Sequence, residues 1–98
     1  MLVRMVKMTF REDAVDKFKA FFEERKDKIR NFEGCTYLEL WQDNKQPAIF
    51  FTYSHWQDEV ALSHYRNSAF FRNMWHQTKE LFAAKAEAWS VKQLAVLP

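Results

Sequence analysis

The 98-residue chain carries 15 Lys and Arg against 13 Asp and Glu, for a net charge of +2, and 17% of its residues are Phe, Trp or Tyr. A chain this short fills one core, so residues 1–98 read as a single domain. The near balance of charge leaves no field that would gather phosphates along a groove, which sets nucleic acid aside as a partner.

Residues 2–9 alternate loosely and are rich in Val and Met, the pattern of a strand, and TFRE then offers Thr9 and Glu12 as a capping box. In the helix that follows, Ala14, Val15, Phe18, Phe21, Phe22, Ile29 and Phe32 recur at three- and four-residue spacing. Asp16, Lys19, Glu23 and Lys26 lie opposite them, and Gly34 marks the stop. The basic run RKDKIR at 25–30 is broken by Asp27, as on a solvated helix face. CTYLELWQD and AIFFTYSHW are β-rich runs joined by NKQP, which suits an antiparallel hairpin. Helical spacing resumes in DEVALSHYR. Ser68 can cap a second, longer helix whose stripe is Phe71, Met74, Trp75, Thr78 and Phe82. WSVKQLAVL alternates as a last strand. The order β-α-β-β-α-β predicts an α+β, ferredoxin-like fold with a four-stranded antiparallel sheet and helices on one face.

Large apolar groups stand on both sides of these strands: Leu40 beside Trp41, Phe50 beside Phe51, and Leu94 and Val96 beside Ala95 and Leu97. An open sheet face this apolar predicts a second copy covering it, that is, a homodimer through the sheet faces. No apolar run approaches the ~20 residues that span a bilayer, and Arg4 and Lys7 break the first apolar stretch, so neither a membrane span nor a signal peptide is expected. Cys35, the single cysteine, sits at a strand start after Gly34 and reads as a buried small hydrophobe rather than a nucleophile. With no disulfide framework, a cytoplasmic location fits best.

The chemistry is narrowed by absent motifs. There is no glycine-rich phosphate loop, no HExxH-type metal spacing and no GxSxG elbow, so phosphoryl transfer, zinc hydrolysis and serine hydrolysis lose support and no metal site is expected. His64 follows Val60 and Ala61 by four and three residues, a spacing that points it inward. It reads either as a core histidine holding a hydrogen bond or as a base in a pocket. His76 falls off the apolar stripe, and His55 stands at a strand end. Tyr37 and Tyr53 offer hydroxyls from neighbouring strands, and Trp56, Tyr65, Phe71 and Trp75 offer flat walls. Together they suit a small aromatic, phenol-like ligand.

EGCTYLELWQD at 33–43, the strand ending at Trp56, and DEVALSHYRNSAFF at 58–71 resemble the antibiotic biosynthesis monooxygenase, or quinol monooxygenase-like, domains. Trp56, Ala61, Leu62, His64, Ser68 and Phe71 fall on that family's marked positions. The resemblance follows element order along the whole chain, with its recognisable motifs in the middle. It implies a dimeric α+β barrel, with each pocket between sheet and helices. It also implies oxidation of a quinol, phenolic or polycyclic aromatic substrate by O2 with no metal, flavin or other cofactor. On that reading His64 assists deprotonation, while Tyr37, Tyr53, Trp56, Tyr65, Phe71 and Trp75 hold the substrate. Ser54 stands where the family often has Glu. The haem-degrading relatives' inward His position carries Trp75, and the first strand has no Asn, which disfavours haem degradation. The competing reading is a non-enzymatic dimeric module that binds a small ligand or serves in stress.

Overall fold

In the computed structural model, which describes residues 1–98, alternation along β1 (Leu2–Phe10) turns Leu2, Met8 and Phe10 into the core, with Arg4 and Val6 on the same side. α1 (Val15–Arg30) follows, then β2 (Cys35–Gln42) and β3 (Ile49–Trp56), joined through the NKQP turn. α2 (Glu59–Arg66) and α3 (Ala69–Lys79) precede the last strand, β4 (Phe82–Val91). The strands form one antiparallel sheet in the order β2-β3-β1-β4. This is the expected α+β, ferredoxin-like architecture, with the second helix divided as its spacing predicts.

The division has a local cause. Ser68 accepts the Phe71 N–H at 3.1 Å, and Asp58 accepts the Ala61 N–H at 2.8 Å, so each short helix starts on a side-chain cap. The expected Thr9–Glu12 box does not form. Thr9 stays in the sheet opposite Ile49, and the chain enters α1 through a 3-10 turn, Glu12–Ala14, with no side-chain cap. Gly34 acts a few residues past the helix end, where its φ of +90° turns the chain into β2.

The last strand lies earlier than its sequence suggests. β4 pairs with β1 from Phe10↔Phe82 to Val3↔Val91, so Phe82 opens a strand instead of closing the α3 stripe. The ladder ends at Val91 because β1 itself runs out at Leu2. Residues 92–98 therefore lie outside the sheet, with Leu94, Val96 and Leu97 exposed. The segment FAAKAEAW has the composition of a helix, and pairing with the central strand overrides that propensity.

Two buried clusters hold the helices on the sheet. One gathers Trp56, Leu62 and Tyr65; the other gathers Phe10, Phe18 and Phe50, with Phe10 and Phe18 stacked at 4.1 Å between ring centroids. Each buried aromatic of this kind contributes roughly 1.5–3 kcal/mol. Cys35 is buried among the first cluster, and burial pushes its thiol above the ordinary range, as befits a packing residue. The other sheet face carries no helix. Tyr37, Trp41, Trp89 and Val91 are exposed large apolar groups on it. No helix is long and apolar enough to cross a membrane.

Candidate functional site

Between the sheet and the helices the two clusters leave a cavity of about 240 Å³. That is slightly smaller than the ~300–1,000 Å³ of drug-sized ligand sites, so it suits a small ring system. Trp56, Tyr65, Phe71 and Trp75 all border it. They form a continuous wall: Trp56 and Tyr65 lie 4.7 Å apart, Tyr65 and Phe71 4.9 Å, and Phe71 stacks on Trp75 at 5.8 Å between centroids.

The remaining three predicted residues lie elsewhere. Tyr37 and Tyr53 sit on the uncovered sheet face, because they alternate with Leu38, Thr52 and Ser54, which face the cavity. There Tyr53 stacks under Trp41 at 4.9 Å and its hydroxyl meets His55 Nε2 at 2.8 Å. The Tyr37 hydroxyl donates to Glu39, which also accepts from the Trp41 indole at 2.8 Å. His64 is exposed and lies outside the cavity, against the edge of Phe32 at 6.0 Å, which corrects its inward assignment. The spacing misleads because Val60, one of its two guides, is itself 77% exposed. The buried positions of α2 are Leu62 and Tyr65. The turn that buries these two leaves His64, one residue before Tyr65, on the flank.

Tyr65 is the polar handle of the site. It is buried, its hydroxyl makes no hydrogen bond within the chain, and the residue borders the cavity. Burial, and then the nearby Cys35, push that hydroxyl far above the ordinary tyrosine range, so it stays a proton donor. Ser54 and Thr78 are already engaged. Ser54 Oγ accepts the Trp56 indole N–H at 3.0 Å, and the Thr78 hydroxyl donates to the Met74 carbonyl at 2.8 Å. Ser54 thus fixes the tryptophan.

Sequence reading missed two charged residues of this site, Arg4 on β1 and Arg66 at the end of α2. Arg4 was visible as a break in an apolar run, yet it alternates in phase with Val6, Met8 and Phe10. That phase alone would have placed it on the inner face. Arg66 had no such signal, since it depends on the turn that α2 takes. No His, Cys, Asp and Glu side chains come together in a group that could hold a metal ion.

Solved structures of the same shape are numerous. A crystal structure of an antibiotic biosynthesis monooxygenase superposes with a TM-score of 0.90 at 19% identity, covering 97% of this chain and 100% of that one. The Mycobacterium tuberculosis protein Rv0793 gives 0.87 at 18%, covering 99% and 98%. A conserved protein from Methanosarcina mazei gives 0.87 at 20%, covering 95% and 93%. Identities this low establish the shared fold. No curated protein matches the sequence. Residues 1–77 match the antibiotic biosynthesis monooxygenase family, and the chain belongs to it.

Proposed function

We propose that this protein is a cofactor-independent monooxygenase that oxidises a small phenolic or quinol ring with O2, working as a homodimer joined through the open sheet faces. The observation that carries the reading is the aromatic cavity bordered by Tyr65, a buried residue whose hydroxyl makes no hydrogen bond within the chain. Trp56, Phe71 and Trp75 hold the ring flat and keep water from it. The Tyr65 hydroxyl donates to the substrate oxygen and favours its phenolate form, which is electron-rich enough to pass an electron to O2. The cavity lining holds no carboxylate or imidazole, so the phenolic proton leaves to water at the mouth. One oxygen atom becomes a ring carbonyl in place of that carbon's single hydrogen, and the phenolic hydrogen is lost with it. The other leaves with those hydrogens as water, so no external reductant is consumed.

Oxygen uptake by metal-free protein over a panel of hydroquinones and polycyclic phenols tests the reading directly. Uptake no greater than the autoxidation blank, with binding demonstrated, turns the site into a binding module. Tyr65→Phe is expected to keep the fold and lower uptake by about 10–100-fold. That is the range given by losing a hydrogen bond of roughly 1.5–3 kcal/mol to a charged oxygen. Unchanged uptake in this variant removes Tyr65 from the mechanism.

The dimer rests on the exposed Tyr37, Trp41, Trp89 and Val91, which make the uncovered face apolar enough to require a partner. An obligate interface of this kind commonly buries ~2,000 Å² or more. Solution scattering at micromolar concentration should report twice the 11.9 kDa chain mass. Trp89→Glu, which sets a charge among the exposed apolar groups of that face, should return it to one chain. Scattering of a single chain by the unaltered protein rejects the assembly.

A further inference from the structure

The only charged side chains that border the cavity are Arg4 and Arg66, and both are positive. They come from elements far apart in sequence, the central strand and the end of α2, so the fold itself brings them together. Neither has a carboxylate within ion-pair distance; the ion pairs of this chain involve Lys7, Arg11, Arg25, Lys26 and His76. Arg4 is half-buried beneath the helices and aimed by one hydrogen bond, Nη1 to Ser90 Oγ at 2.9 Å, which leaves most of its N–H donors uncommitted. Two like charges beside an apolar wall raise the energy of the empty site, and nothing in the chain offsets that cost.

We infer that Arg4 and Arg66 form an anion clamp, and that the ligand of this cavity is a small aromatic carboxylate, its ring among the aromatic walls and its acid between the two guanidiniums. The inference deepens the proposed function and rests on its reading of the cavity as a site for a small aromatic ring. A carboxylate is the anion whose planar pair of oxygens matches guanidinium donors, and a ring-borne acid also places its apolar body against Trp56 and Phe71. The repulsion is felt at Arg4, whose guanidinium is held below the ordinary range by burial and then by the charge of Arg66. A bound acid would remove that repulsion.

Binding without turnover isolates the clamp. Calorimetric titration under nitrogen should compare 2-naphthoate with 2-naphthalenemethanol, which share the ring and differ in charge. The carboxylate is expected to bind at least about tenfold more tightly, and the advantage should shrink as salt is raised. Arg4→Gln and Arg66→Gln should each remove most of the advantage, lowering the affinity for the carboxylate far more than that for the alcohol. Arg72→Gln, an exposed arginine outside the cavity, should change neither affinity. Arg66 is exposed at a helix end, so Arg66→Glu keeps the fold and should abolish the preference. Equal affinities in the unaltered protein, a preference that survives Arg66→Glu, or no binding of either compound overturns the inference. Oxygen uptake with 1,4-dihydroxy-2-naphthoate, which carries both the quinol and the acid, separates the two claims. Uptake with no carboxylate preference overturns the clamp and leaves the oxidation standing, whereas a preference with no uptake supports the clamp and removes the oxidation.

Discussion

Trp56→Ala is expected to lower stability by about 3–5 kcal/mol, the usual cost of emptying a large buried aromatic site. Trp56 is 1% exposed, closes β3, packs 4.7 Å from Tyr65 and donates its indole N–H to Ser54 at 3.0 Å. Truncation removes the contacts, enlarges an existing cavity and strips Ser54 of its donor, in a domain whose total stability is of the order of 5–15 kcal/mol. For a domain near 100 residues each kcal/mol moves the melting temperature by roughly 4–8 °C, so thermal unfolding followed by circular dichroism should show a loss of about 12–40 °C. Trp56→Phe keeps most of the wall and gives up the hydrogen bond, and it should lose less than half as much. A loss of only a few degrees in Trp56→Ala would mean that the site is loosely packed and that Trp56 is not its anchor.

Gly34→Ala should be nearly as damaging, for two reasons that can be measured apart. The backbone at Gly34 has φ of +90°, and a methyl group built there would lie 2.4 Å from the Ala61 Cβ. The left-handed conformation costs a residue with a side chain about 1–2 kcal/mol, and overpacking adds about 1–3 kcal/mol. A double-mutant cycle with Ala61→Gly separates the terms, because opening space at residue 61 relieves the overlap and leaves the backbone strain. The second substitution should therefore reduce the cost of Gly34→Ala without erasing it. The same position bears on the site. The Gly34 carbonyl accepts the Gln57 N–H at 2.9 Å, and its missing side chain lets α2 lie close to the sheet. Pushing α2 outward would displace Tyr65 and Arg66 together, so ligand affinity should fall with stability in Gly34→Ala and recover in part in the double variant. If stability falls and affinity does not, the seating of α2 is not what places these two side chains.

The first three strands, the long first helix, the hairpin and the Ser68 cap were legible in the sequence because each is set by spacing or by a side chain a few residues from its target. So was the aromatic set Trp56, Tyr65, Phe71 and Trp75, whose bulk and periodicity fit an inner face. The sequence did not reveal what depends on partners far along the chain. β4 is a strand because β1 offers a ladder, even though FAAKAEAW favours a helix on its own, and it stops at Val91 because that ladder ends. Tyr37 and Tyr53 have the chemistry of a site, yet strand alternation puts them on the face away from the cavity. His64 and Tyr65 are neighbours on one short helix. Which of them reaches the cavity was decided by the turn at which α2 settles between Gly34 and the sheet, a packing result that local spacing along eight residues does not define. Arg4 and Arg66 meet for the same reason: a cavity is the space that distant elements fail to fill, and its lining is fixed only when they have packed.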